Sequence, residues 1–83
     1  MIITPNQCRA ARELLSWTQE DVQKKSKLGK ETIGNFERGN GNLTMKTLEK
    51  LQKAFEDAGI EFVDDSDRLG VMILKKVIKK NKK

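Results

Sequence analysis

The sequence offers little for covalent or metal chemistry. It contains no histidine and a single cysteine, Cys8. Cys8 therefore has no imidazole to activate it and cannot join a mixed Cys/His zinc site. With no nucleophile–base pair and no metal-ligand cluster, neither an enzyme activity nor a cofactor is expected. What remains is hydrogen-bonding chemistry. Lys30 and Glu31 open a short helix signal, and Gly34 and Asn35 follow one turn later on the same face. Lysine is a donor, glutamate an acceptor, and asparagine both at once. The same residues also make an ordinary solvated helix face, so the elements that carry them decide what they are for.

Those elements lie in residues 18–39. Thr18 is a good N-cap, with Asp21 three residues later as an acidic capping-box partner. A second helix starts near Gly29 and stops at Gly39, a left-handed terminator. Val22, Leu28, Ile33 and Phe36 are the apolar positions of the pair. Two helices this short, packed this closely, point to a helix-turn-helix, which sets its second helix in the DNA major groove.

The same start signal recurs along the chain. Apolar residues five apart bracket each cap, the spacing of a hydrophobic staple. The pairs are Ile3 with Cys8, Trp17 with Val22, Leu28 with Ile33, and Leu43 with Leu48. Four helices are predicted, at about 5–16, 19–26, 30–38 and 45–58, with Pro5 at the first position of helix 1. Helix 1 carries an apolar stripe of Cys8, Ala11, Leu14 and Leu15; helix 4 carries Leu48, Leu51, Phe55 and Ala58. After Gly59 the period changes to alternation, as in a strand. Residues 65–70 read as a turn or loop, and Val71-Met72-Ile73-Leu74 as a second strand. The predicted organisation is a helical domain over 1–59, a hairpin over 60–74 and a lysine-rich tail over 75–83. The fold class is mainly α. An apolar content of 36% against 35% charged residues suits one small compact soluble domain.

The net charge of +5 is unevenly distributed. Residues 1–55 carry ten Lys/Arg against six Asp/Glu, residues 56–74 one against six, and residues 75–83 six lysines with no acid. A polyanion suits the first and last of these segments and not the middle one. The tail lysines 75, 76, 79, 80, 82 and 83 either graze DNA without sequence preference or serve solubility. A lone cysteine forms no intrachain disulfide and fits a reducing cytoplasm. No apolar run approaches the roughly 20 residues that span a bilayer, so no membrane role is expected. Met1-Ile2-Ile3 is too short for a signal peptide.

From Cys8 to about Leu74 the chain resembles the lambda-repressor-like, Xre/Cro-type family of bacterial and phage DNA-binding proteins. Arg9-Ala10-Ala11-Arg12-Glu13-Leu14-Leu15-Ser16-Trp17-Thr18-Gln19 is similar to the family's first helix and the start of its second. Thr32-Ile33-Gly34-Asn35-Phe36-Glu37-Arg38-Gly39 is similar to its recognition helix. The resemblance implies a compact four-helix domain that binds double-stranded DNA and regulates transcription. It implies base-facing roles for Lys30, Glu31 and Asn35, and a phosphate contact for Gln19, helped by Thr18. It implies backbone contacts from Arg38, Asn40, Asn42 and Lys46 beside the loop before helix 4, although loop chemistry alone accounts for Asn40-Gly41-Asn42. It also implies a structural ion pair between Arg12 and Glu37.

Three positions depart from the family pattern. Gln23 stands where a small residue is usual, so its amide turns outward or finds a partner between helices. Lys27 replaces a turn glycine and is expected at positive φ. Gly29 replaces a hydroxyl cap. Trp17 and Cys8 read as core residues.

Specific binding normally takes two copies, so a homodimer is expected through the hairpin or helix 4. The run 71–74 is apolar on both faces and has an open strand edge. The alternative is an antitoxin-type module, whose acidic segment 56–74 binds a basic protein partner while its DNA binding is autoregulatory.

Overall fold

The computed structural model describes residues 3–40 and 43–77. It contains α1 (Pro5–Leu15), α2 (Gln19–Ser26), α3 (Lys30–Glu37), α4 (Met45–Asp57), β1 (Ile60–Asp64) and β2 (Leu69–Ile73). The strands pair antiparallel, with Ile60 opposite Ile73 and Asp64 opposite Leu69.

Local chemistry sets each start. Thr4 accepts the Gln7 N–H while the Gln7 amide oxygen accepts the Thr4 N–H, a full capping box. Thr18 and Asp21 form the same reciprocal pair before α2. Thr44 caps α4 through the Thr47 N–H. Gly29 caps α3 with no side-chain bond. The turn between α2 and α3 closes at Lys27, which sits left-handed at φ 61° as its replacement of glycine predicts. Ser16 is also left-handed, at φ 58°.

α2 packs on α3 and α4, α1 packs on α3 and β2, and α4 packs on β1. The shared core joins Ile3, Cys8, Ala11, Leu15, Val22, Ile33, Phe36, Leu51, Phe55 and Ile60. The staple residues Trp17, Leu28, Leu43 and Leu48 lean on it. Trp17 stacks on Phe55 at 5.6 Å, and Phe62 meets the same ring edge-on at 6.1 Å. Trp17 is thus held in packing.

The hairpin is part of this core, since Phe62, Val71 and Ile73 pack against it. A buried amide fastens it. Gln7 Nε2 donates to the carbonyls of Val63 and Gly70, at 3.2 and 3.0 Å, from α1 to both strands at once. Gly59, at φ 103°, joins α4 to β1, and a side chain there would meet Val77.

Three expectations need correction. Leu14 is 37% exposed and stands outside the core stripe. Helix 1 stops at Leu15 because Ser16 turns left-handed. The turn is shorter than residues 65–70: Asp65 and Arg68 close it through backbone and side chain, and Leu69-Gly70 already belong to β2. Asn42 and lysines 79, 80, 82 and 83 lie outside the described residues; Lys75 and Lys76 are exposed. Among the described residues, no helix is long and apolar enough to cross a membrane.

Candidate nucleic-acid interface

α3 has two opposite faces. Ile33, Phe36 and Glu37 are buried, whereas Lys30 and Glu31 are exposed and Asn35 is half-buried. The helical period places Lys30, Glu31, Gly34, Asn35 and Arg38 along one side. Arg38, the C-cap of α3, folds back along that side. Its Nη2 donates to Asn35 Oδ1 at 2.5 Å, and its Nη1 lies 3.2 Å from where a side chain on Gly34 would begin. Glycine at 34 therefore leaves the room in which the guanidinium lies. Asn40 is exposed, with its backbone N–H on the Asn35 carbonyl at 2.9 Å. Lys46 is exposed in the first turn of α4.

The inner side of α3 is held by charge. Glu37 is 3% exposed, and its carboxylate takes both arms of Arg12, with Nε at 2.8 Å and Nη2 at 3.0 Å. This fork-on-fork geometry fixes direction as well as distance. Arg12 also donates to the Trp17 carbonyl at 3.3 Å. Gln19 Nε2 donates to Glu37 Oε1 at 3.0 Å, and Cys8 Sγ donates to Oε2 at 3.3 Å. Burial alone would raise the Glu37 pKa. The hydrogen bonds from Arg12, Gln19 and Cys8 outweigh it and hold the carboxyl below its ordinary range. Burial, with the Glu37 charge added, pushes the Cys8 thiol far up, so it stays protonated. The hydrogen bond to Glu37 raises Arg12 further.

The structure thus gathers Arg12, Gln19 and Glu37 behind α3, and Lys30, Glu31 and Asn35 in front of it. Thr18 serves as the α2 cap. Gln19 is engaged inward rather than left free at the surface. Two residues were missed in the sequence. Arg9 donates from Nη1 to the Glu37 carbonyl and from Nη2 to Asn6 Oδ1, so α1 grips the end of α3 with two arginines. Gln7 ties α1 to the hairpin, and the Thr4–Gln7 capping-box spacing was its visible signal. Among the described residues, no group of three or more His, Cys, Asp or Glu could hold a metal ion.

Comparison with known proteins places the helical fold in a family. The family model described as Helix-turn-helix matches residues 9–56, more than half of the chain. The solved structures include the wild-type restriction-modification controller protein C.Esp1396I, similar with a TM-score of 0.60 and 26% identity. The match covers 92% of this chain and 79% of that one. No curated protein matches the sequence. With the matched segment spanning α1 to α4 and the two short helices at its centre, the chain belongs to the helix-turn-helix family, in its lambda-repressor-like, Xre-type form.

Proposed function

We propose that this protein is a sequence-specific regulator of transcription that lays α3 in the major groove of double-stranded DNA, acting as a homodimer. One observation carries the reading: a polar outer face of α3 is backed by the buried Arg12–Glu37–Gln19 cluster, which fixes the helix in angle. A reading helix needs that rigidity, because base contacts depend on angles as well as distances.

Lys30 reaches base edges from the first turn. Asn35 reads from the next turn. Its oxygen holds Arg38 in the free protein and keeps a second lone pair, which with the amide N–H serves bidentate pairing with adenine. Glu31 repels phosphate and is useful only against a base donor such as cytosine N4. No side chain caps α3, so its first-turn N–H groups are left for water or phosphate. Gln19 keeps a second amide hydrogen for phosphate while the first holds Glu37. Arg38, Asn40 and Lys46 flank the groove. The similarity to a restriction-modification controller supports a regulatory role.

The test is selection of bound duplexes from random DNA at stated salt. A recurring motif arranged as two half-sites one helical turn apart is expected. Recovery of an unbiased pool would overturn the proposal.

A further inference from the structure

The hairpin ladder fixes which backbone groups face outward. Leu74 N–H reaches the Gly59 carbonyl at 3.2 Å, and Asp65 N–H reaches the Arg68 carbonyl at 2.8 Å. Hydrogen-bonded pairs alternate in an antiparallel ladder, so 61/72 and 63/70 bond inward between these two. Leu69, Val71 and Ile73 then turn their N–H and C=O groups to the outer edge of β2. Among the described residues, none hydrogen-bonds to that edge. An open groove of about 280 Å³, lined by Asn6 and Ala10 of α1 and by residues 69–71, runs beside it.

The two edges of the hairpin differ. β1 carries Glu61 and Asp64, while β2 carries no charge. Charged residues keep an edge from pairing, and an uncharged apolar edge invites it. Leu69 and Met72 are 53% and 51% exposed.

We infer that β2 pairs with β2 of a second copy, antiparallel about a two-fold axis through Val71, to make a continuous four-stranded sheet across the dimer. The inference rests on the two-copy reading above and says how the copies meet. The register follows from the outward groups: Val71 faces Val71, and Leu69 faces Ile73 of the second copy. In that register Met72 lies opposite Gly70 of the second copy. A side chain on Gly70 would meet nothing within 4 Å in the single chain, so the space is open to receive Met72. Exposed Leu69 gains an apolar neighbour. The ladder is self-complementary, brings no like charges together and satisfies an edge to which no described residue hydrogen-bonds. A β1–β1 pairing would instead set acids against acids.

The two Met72 side chains lie diagonally across the axis, within about 8 Å of each other. Met72→Lys and Met72→Glu are therefore each expected to be monomeric by sedimentation at concentrations where the parent is dimeric. An equal mixture of the two is expected to restore a heterodimer. At concentrations low enough for the parent itself to be monomeric, their thermal unfolding is expected to match the parent, because Met72 is exposed in the single chain. Leu69→Lys, also exposed and at the strand end, provides a second variant with the same expected loss of the dimer. The inference is overturned by a parent that stays monomeric at high micromolar concentration, by single variants that remain dimers, or by a mixture that stays monomeric. DNA binding is measured separately on a half-site duplex. A parent that ignores this duplex contradicts the functional reading; a parent that binds it while Met72→Lys remains dimeric contradicts only the interface.

Discussion

Glu37 is the residue on which α3 depends most. It is nearly fully buried, yet it is charged, and its lone pairs are met by Arg12, Gln19 and Cys8. Removing one member of such a cluster leaves the rest buried without a partner. Arg12→Ala is expected to cost about 3 kcal/mol of stability, measured by chemical denaturation at neutral pH. The pH dependence has a definite sign. An unfolded glutamate titrates near ~4.3, and the folded carboxyl lies lower. Its contribution is therefore complete above that unfolded value and is lost as the pH falls through the folded one. Glu37→Gln should lower stability at pH 7 and flatten the acid limb of the stability curve. On the alkaline side, the raised Cys8 thiol contributes stability that declines once the pH passes the unfolded cysteine value of ~8.5. Native Cys8 should accordingly resist alkylation until the protein unfolds, as read by mass spectrometry. The Arg12–Glu37 pair was visible in the sequence only through family resemblance, because 25 positions separate the partners. The inward turn of Gln19 was not visible at all. A first-turn glutamine looks like a surface residue until its partner 18 positions away is in place.

The helical elements were legible because caps are local. Threonine at 4, 18 and 44 writes its helix start into three or four consecutive residues. Lys27 was legible only through the family resemblance, because it stands where the family's turn has glycine. Its left-handed backbone costs about 1–2 kcal/mol that glycine avoids, part of it offset by the greater freedom of glycine in the unfolded chain. Lys27→Gly should raise the unfolding midpoint with little change in affinity for a selected site; a lowered midpoint would count against strain at this turn. The hairpin was only half legible. Gly70 looked like loop punctuation, but the turn is closed earlier by Asp65 and Arg68, so β2 begins at Leu69. Leu14 fitted the helical stripe, yet the neighbours of α1 cover the positions beside it and not Leu14 itself. The fastening of the hairpin depended on a long-range bond, from Gln7 to strands 56 and 63 residues away. Gln7→Leu removes the buried amide donor, while the Val63 and Gly70 carbonyls keep each other's N–H in the ladder, at a cost of about 0.5–1.5 kcal/mol for each hydrogen bond lost. Hydrogen exchange should then quicken in β1 and β2 more than in α2 and α3. Equal acceleration throughout would show that Gln7 is not the tether.

For the whole molecule, charge and reading are separable. Residues 1–74 carry eleven Lys/Arg against twelve Asp/Glu, so the excess positive charge sits in the tail. If the tail lysines neutralise phosphates, each contact adds about 0.9 to the slope of log affinity against log salt. Deleting 75–83 should then flatten that slope and weaken binding to a random duplex, while preference among sequences survives. Equal slopes for the full and shortened chains would assign the tail to solubility. The proposed function puts sequence preference on the outer face of α3, and Asn35→Ala tests that proposal most directly. Selection from random DNA at fixed salt, run in parallel for the parent and for Asn35→Ala, should show relaxed preference at one base position. The affinity loss on the best site should be about 1–3 kcal/mol. A ranked list of preferred sequences left unchanged by Asn35→Ala would contradict the account.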